Sequence, residues 1–419
     1  MKYPITPDYL QHVPDELVTL YLDLETYIIQ KICESLAING EPNATALELI
    51  RQLQRRGMPL TEVEAKIRKT LGISQKKLTE ALENAAMRNN AYYGTAYDAL
   101  GIVQEPADLD AMAAEIDAIT RQTQTVLRNI TQSLGFGMRG MDGAIVLSNI
   151  QQTYQTILDK AELRVITGTE SYSVAIRDGI REMANSGLIG EWVEYRDEEG
   201  EVYHRNRVDV AVRRAVMTGV TQISGRYTEA AAENMQTPYF EVTAHKGARD
   251  KDGPNGWENH KAWQGKVYSI RAGDIYPSIY TVCGLGDVTG LEGANCRHRR
   301  FPYIEGLSER TYTDEQLKNI DNPPFTFQGR KYSAYDATQE QRRTETALRR
   351  VKRRMIAEKA AGDEESYIAD AARYQDLNRY YQAFTKAAGL RSQIERSFIP
   401  EFGPKEAREA AKALTTQNG

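Results

Sequence analysis

The sequence predicts an α+β protein that is mostly helical, with an N-terminal helical region, a small antiparallel β-rich domain and a C-terminal helical tail. Apolar residues recur at spacings of three and four along most of the 419 residues, which is the period of an amphipathic helix. The exception is the segment 236–306, where β-branched and aromatic runs alternate with turns rich in Gly, Pro, Asp and Asn. A content of 41% hydrophobic and 26% charged residues is sufficient for a packed core.

Composition excludes several classes of protein. The net charge of −5 excludes a globally basic nucleic-acid binder, so any DNA contact must come from a local patch. Three cysteines cannot form a disulfide framework, which is typical of proteins made in a reducing cytosol. No apolar run approaches the roughly 18 residues of a membrane span, and the first ten residues lack the apolar core of a signal peptide. We therefore expect no membrane partner.

The region 1–147 is predicted to be helical. Thr61 and Glu64 have the spacing of a capping box, and Ser74 suits a further helix start. A cluster of glycines predicts a flexible break after the last helix. Long amphipathic helices with few loops either form a self-contained bundle or also dock a partner or a second copy, and we favour docking. The predicted helices cover about 14–39, 44–56, 61–73, 74–89 and 107–134, and the break lies at Gly135, Gly137, Gly140 and Gly143.

The region 148–235 is predicted to be a helical connector. Apolar residues at helical spacing predict helices from about Ser148, over 172–186 and from 208 to at least 223. Between the last two, the stretch 191–204 alternates like a hairpin around Gly200.

The segment 236–306 is predicted to be a compact α+β domain. Strands are expected at 239–243, 265–270 and 279–282. Reactive side chains are concentrated there, including three of the five histidines, two of the three cysteines and two of the three tryptophans: His245, His260, His298, Cys283, Cys296, Trp257 and Trp263.

Three hypotheses explain this concentration. The first is a zinc site, for which His245, His260, Cys296 and His298 supply four N and S ligands, although the linear spacing is poor and no C-x-x-C motif is present. The second is a nuclease-like site, in which His245 or His260 acts as general base and Arg249 or Arg297 binds the phosphate of the substrate. The third, which we favour, is that imidazoles, indoles and Asn295 hydrogen-bond the backbone of a domain with a small core. We therefore expect no catalytic residue, metal or cofactor.

The C-terminal part is predicted to be a loop linker at 307–334 followed by a basic helix and a helical tail at 335–419. Between Arg342 and Lys359 the sequence has eight Lys and Arg but only two Glu. The apolar residues of this stretch fall on one face of the predicted helix, which should leave the guanidinium groups of Arg350, Arg353 and Arg354 exposed on other faces. Such a cluster can hold DNA without sequence specificity. The alternative is a surface helix that pairs with acids at 363–365. The DNA-binding candidates are Arg342, Arg343, Arg349, Arg350, Arg353 and Arg354.

Three motifs in the β-rich segment carry a family resemblance: AHKGARD at 244–250, WQGKVYSI at 263–270 and GLEGANCRHRRFPYIEG at 290–306. In this order they resemble the phage minor capsid protein 2 family, which is related to the Mu F-like and SPP1-type head morphogenesis proteins of tailed bacteriophages. Further similarity at 171–188, 212–225 and 335–339 extends the resemblance to roughly 160–395. The residues interpreted as its structural motif are His245, Arg249, His260, Trp263, Gln264, Gly265, Asn295, Cys296, Arg297 and His298.

The resemblance implies a structural virion protein present in few copies. Such proteins lie inside the capsid at the portal vertex, are in the host cytoplasm during assembly, and aid head assembly, DNA packaging or DNA ejection. The partners implied are the portal protein, other capsid or scaffold proteins, double-stranded DNA and copies of the chain itself. The alternative is a capsid-carried nuclease or toxin-like enzyme built on the 236–306 domain.

Overall fold

The computed structural model describes residues 3–37, 45–140, 143–191, 206–293 and 295–417. Within these ranges the chain is α+β and mostly helical, as predicted. The hairpin predicted around Gly200 lies outside the described residues. No helix in the described ranges is long and apolar enough to cross a membrane.

The N-terminal region is built around α2, which is buried on nearly every side. Its side chains pack against α4 (Leu60–Leu100) and against two later helices, α8 (Val208–Asn234) and α12 (Ala334–Ala361). The first five helices are α1 (Pro7–His12), α2 (Asp15–Leu36), α3 (Ala46–Arg56), α4 (Leu60–Leu100) and α5 (Pro106–Gln132).

The two helices predicted at 61–73 and 74–89 are one helix of 41 residues, α4. Ser74 does not cap a helix; its hydroxyl donates to the Leu71 carbonyl at 2.9 Å inside the helix. The capping box predicted at Thr61 is also wrong, because Pro59 is the N-cap residue and supplies no side-chain cap. Burial of Leu78 and Leu82 in the main core outweighs the local capping signal at Ser74.

Two glycines of the predicted break, Gly135 and Gly137, instead lie in β1 of a four-stranded antiparallel sheet in the order β2-β1-β3-β4, whereas Gly140 and Gly143 lie between β1 and β2. Gly135 opens β1, where a Cβ would lie 2.5 Å from the Ser148 carbonyl oxygen, so its glycine allows the close approach of β2. The elements here are β1 (Gly135–Arg139), β2 (Ile145–Ser148), α6 (Ile150–Ile166), α7 (Tyr172–Ser186), β3 (Leu188–Glu191) and β4 (Asn206–Arg207).

The β-rich segment contains a three-stranded antiparallel sheet in the order β6-β5-β7. The strand predicted at 279–282 is wrong: this run forms the short helix α10, which ends at Gly284 with φ +63°. A short buried apolar run does not distinguish a strand from a helical turn. The elements are α8 (Val208–Asn234), β5 (Tyr239–Val242), α9 (His260–Trp263), β6 (Val267–Ser269), α10 (Ile279–Cys283) and β7 (Arg300–Tyr303).

The C-terminal helices close the structure over the N-terminal ones. Helix α12 packs against α2, α7 and α13 (Glu364–Ala387), so the basic helix is largely internal. The segment 307–334 contains a short helix and a hairpin. The elements are α11 (Asp314–Lys318), β8 (Phe325–Phe327), β9 (Arg330–Tyr332), α12, α13 (Glu364–Ala387), a 3₁₀ turn (Ile394–Ser397) and α14 (Pro404–Gln417).

Candidate functional site

The histidines of the β-rich segment line a cavity of about 610 Å³, together with side chains of α2, α8 and α12. Six arginines and four acids share this lining, so the wall is rich in positive charge. These residues are Arg213, Arg249, Arg297, Arg342, Arg349 and Arg396, with Asp15, Asp209, Glu345 and Glu395. We refer to this space as the histidine cavity.

Two of the histidines are anchored through the Nε2 atom. His260, at the start of α9, has Nε2 2.9 Å from the Thr289 carbonyl oxygen. His298, just before β7, has Nε2 3.0 Å from Oε1 of Gln264. That amide oxygen also accepts the backbone N–H of His245 at 3.0 Å, which fixes the orientation of Gln264. Because both partners are oxygens that accept, each Nε2 carries a hydrogen and each Nδ1 lone pair is left free.

His245 is held differently. Its ring stacks on that of His298 with the centroids 4.4 Å apart, and its Nδ1 lies 2.9 Å from the Lys246 carbonyl oxygen and 3.1 Å from Nη2 of Arg297. Arg297 also contacts Gln11, so it links the β-rich segment to the N-terminal region.

The other residues of the predicted motif support the loops around the cavity. Trp263 is 1% exposed and its Nε1 donates to the Trp257 carbonyl at 2.7 Å. Arg249 donates to the Thr289 carbonyl at 3.4 Å. Gly265 has φ +70° and a Cβ there would collide with Leu317, so only glycine fits. Asn295 lines the cavity with φ +60°.

Cys296, His260 and His298 converge. The Cys296 sulfur lies 3.6 Å from Nδ1 of His298 and 3.8 Å from Nδ1 of His260, and all three ligand atoms are within 4.8 Å of one another. The structure therefore brings together three of the four side chains of the zinc hypothesis and leaves His245 outside the group. The stretch from Cys296 to His298 is not helical, and its two alternate side chains reach the same buried site.

Burial controls the protonation of these groups. It lowers the pKa of His245 to about 3, with Arg297 adding to the shift, and lowers the pKa of His260 to about 4. It also raises the pKa of the Cys296 thiol to about 11. At neutral pH the metal-free cavity thus presents neutral imidazoles and a protonated thiol beside its arginines, so it offers no thiolate nucleophile.

The basic helix α12 holds three of its six predicted DNA-binding arginines, Arg349, Arg353 and Arg354, largely inside the protein. The expectation that Arg353 and Arg354 are displayed is wrong: Arg353 is 1% exposed with Nη1 3.5 Å from Glu25, and Arg354 binds both oxygens of Asp370 at 2.5 and 2.7 Å. Helical periodicity places a residue on a face, but tertiary packing decides which faces are covered.

Of the remaining candidates, one is mostly covered and three are exposed. Arg349 is mostly covered and lies 3.0 Å from Asp209. Arg342, Arg343 and Arg350 are exposed, with Arg342 at the histidine cavity. The acids at 363–365 are not the main partners of this helix, since the covered arginines pair with acids of α2, α8 and α13.

A family model for phage minor capsid protein 2 matches residues 5–386. The chain belongs to this family. A structural protein of Lactococcus phage LL-H is 24% identical over 319 residues, which are 72% of this chain and 80% of that relative. No solved structure matches the chain. The predicted family is confirmed, and it gives the chain a structural role among the proteins of a bacteriophage virion.

This minor capsid protein also has a cation-lined groove that sequence reasoning missed. The groove measures about 1020 Å³ and is lined by seven Lys and Arg side chains against two acids. Its cations come from separate elements, so no single charge run shows the groove. Two pairs are visible in the sequence, each with its members four residues apart on one helix: Lys160 and Arg164 on α6, and Arg350 and Arg354 on α12. The lining cations are Arg139, Lys160, Arg164, Arg181, Arg207, Arg350 and Arg354.

The minor capsid protein further exposes an apolar tip where α4 leads into α5. Leu100, Val103 and Leu109 are 38%, 84% and 45% exposed. Among the described side chains of 106–118, none is buried. We call residues 98–118 the hairpin tip. Its exposed apolar surface resembles that of an interaction site more than that of a packed bundle.

Proposed function

We propose that this protein works at the portal vertex inside the phage head, where it docks the portal through the hairpin tip and contacts packaged double-stranded DNA without sequence specificity. In this role it aids head assembly, DNA packaging and DNA ejection by binding rather than by catalysis. The observation that carries the docking step is the hairpin tip, which projects apolar side chains from a chain of the minor capsid class.

Portal docking leads to the first prediction. Val103→Asp is expected to leave the unfolding temperature unchanged, because the side chain is 84% exposed, and to reduce co-sedimentation with portal protein and incorporation into virions at least about tenfold. Leu307→Asp makes the same change at another exposed position, 64% accessible, and serves as the matched control.

The outcomes of this experiment separate the partners. Normal incorporation of the Val103→Asp protein would contradict docking through the tip, and absence of the wild-type chain from virions by mass spectrometry would contradict the virion role. Loss of self-association or of scaffold binding, with portal binding intact, would assign the tip to those partners instead.

The DNA contact is supported by the cation-lined groove and by Arg350 in particular. Arg350 is exposed at the groove and has no ion pair within the described part of the chain. Arg353 and Arg354 are buried and already paired with acids, so their guanidinium groups are less available to a phosphate than that of Arg350. Cations without partners gain the most from neutralising phosphates and releasing counterions.

Arg350→Gln is therefore expected to weaken binding to all DNA sequences alike and to lower the slope of log affinity against log salt by about one. Arg379→Gln, which removes an equal charge from an arginine that is 76% exposed and pairs with Asp376, should leave the slope unchanged. The measurement is fluorescence anisotropy with duplex DNA over a salt series. Equal slopes for the two variants would remove Arg350 from the contact.

A non-catalytic role is supported by the family of the chain and by its relative, which is described as a structural protein. The capsid-carried nuclease or toxin-like enzyme stays the alternative, favoured by the position of three histidines on one cavity wall. Incubating the full chain with linear DNA and with RNA, in the presence of Mg²⁺ or Zn²⁺, discriminates between them. Cleavage that is lost on His298→Asn would replace the binding role by an enzymatic one.

A further inference from the structure

We infer that His260, Cys296 and His298 form a binding site for a zinc ion, with the fourth coordination position facing the histidine cavity. The inference does not depend on the virion role proposed above. It rests on the convergence of the three ligand atoms, on the anchoring of both imidazoles and on the cavity that lies beside them.

The spacing of the ligand atoms fits tetrahedral zinc. With Zn–S about 2.3 Å and Zn–N about 2.0–2.1 Å, a tetrahedral site holds sulfur and nitrogen about 3.6 Å apart. The observed separations from the Cys296 sulfur are 3.6 Å to His298 and 3.8 Å to His260. Both separations between sulfur and nitrogen are therefore close to those of a tetrahedral zinc site.

The surroundings also orient the two imidazoles as ligands. A metal-bound histidine commonly donates its other ring N–H to a backbone carbonyl, carboxylate or similar acceptor, which fixes the tautomer. His260 does this with the Thr289 carbonyl and His298 does it with the Gln264 amide oxygen. Both Nδ1 lone pairs then point at one thiol.

Without a metal, this arrangement leaves a polar atom unsatisfied. A thiol carries one hydrogen and can serve only one of the two Nδ1 lone pairs. Both histidines and the cysteine are buried, at 4%, 1% and 5% exposure, so a nitrogen left without a partner there is costly. A bound cation satisfies both lone pairs and the sulfur together, and the thiol proton is released as the thiolate binds.

The fourth ligand comes from the cavity rather than from the chain. The ring of His245 stacks on His298, and its Nδ1 faces the Lys246 carbonyl and Arg297, outside the converging group. All three ligands line the histidine cavity, as do six arginines. The open position therefore takes a water molecule or an anion that the arginines attract.

Cobalt substitution of the full chain tests the site. Bound Co²⁺ should give the visible bands of a tetrahedral site and a thiolate-to-cobalt charge-transfer band, and elemental analysis should find one zinc per chain. Cys296→Ala should lose the band and bind zinc at least about 100-fold more weakly, since loss of a supporting residue alone costs about 10–100-fold. Cys283→Ala removes a buried thiol of the same segment and should change neither result.

A further variant keeps Cys296 and removes the other two cysteines, so that the test does not depend on correct folding of the Cys296→Ala protein. In Cys33→Ala/Cys283→Ala, Cys296 is the sole thiol left in the chain, so a charge-transfer band in this variant must come from it. Absence of the band there, or its persistence in Cys296→Ala, would overturn the site. Added inorganic phosphate should shift the cobalt bands; an unchanged spectrum would overturn the open fourth position.

Discussion

Glu25→Gln is expected to lower the free energy of unfolding by about 3–5 kcal/mol, the cost of breaking a buried ion pair by removing one partner. Glu25 lies in the middle of α2 and is fully buried. Its Oε1 accepts the Leu188 backbone N–H at 2.7 Å, and its Oε2 lies 3.5 Å from the buried guanidinium of Arg353. A glutamine keeps the shape and the first hydrogen bond but removes the charge.

The cost is large because the buried charges around Glu25 are nearly balanced. Arg207, Arg349 and Arg353 surround the two acids Glu25 and Asp209. Burial disfavours the charged form of Asp209, yet Arg349, Arg207 and Arg353 together hold its pKa well below its usual value. Without the charge of Glu25, the buried guanidinium group of Arg353 and the mostly covered ones of Arg207 and Arg349 share one carboxylate.

Urea denaturation followed by circular dichroism measures this effect. The matched control is Glu16→Gln on the same helix, where the carboxylate pairs with Lys77 at 2.5 Å but is 76% exposed. An exposed pair contributes about 0–1 kcal/mol, so this variant should unfold close to the wild type. Similar unfolding curves for Glu25→Gln and wild type would show that the buried ions do not hold α2, α12 and the β3–β4 strands together.

The fold could be predicted from the sequence wherever one local signal acted alone. Helical spacing and capping glycines give α3 and α7 almost to the residue. Ser74 has the character of a helix cap, but burial of the continuous helix against α2 outweighs this local preference. Gly135 suggests a flexible break, but it is a glycine because the neighbouring strand approaches its backbone closely. In both cases a tertiary contact decided the result, and no local pattern records such a contact.

The candidate site could also be predicted only in part, because local sequence signals gave its residue types and tertiary contacts decided their partners. The sequence identified the cavity residues that lie in 236–306, because unusual residue types cluster there, but not Asp15, Asp209 and Arg213, which α2 and α8 contribute. It could not show that His260 meets Cys296 across 36 positions. Nor could it show that Arg353 and Arg354 face acids of α2 and α13, since charge along a helix does not reveal which partner covers each face.

Trp263→Ala is expected to lower the free energy of unfolding by about 3–5 kcal/mol, the usual range for truncating a buried tryptophan. Trp263 is 1% exposed and is the largest side chain in the core of the β-rich segment. Its ring also lies 4.6 Å from the ring of His260 and 4.9 Å from that of His298, measured between centroids. The substitution therefore opens a cavity behind both imidazoles and removes the N–H that bonds the Trp257 carbonyl.

Two further variants separate the causes of this loss. Trp263→Phe keeps one aromatic ring but loses the N–H and part of the indole volume. It should cost about 1–3 kcal/mol for the unpaired Trp257 carbonyl together with the change of shape. Trp257→Ala truncates a tryptophan that is only half-buried and should cost less than Trp263→Ala. Urea denaturation gives the energies, and amide hydrogen exchange should show the largest loss of protection in residues 257–303. If Trp263→Ala unfolds like the wild type, the segment is held by its contacts with the helices, and the small core around Trp263 is not what fixes the histidines in place.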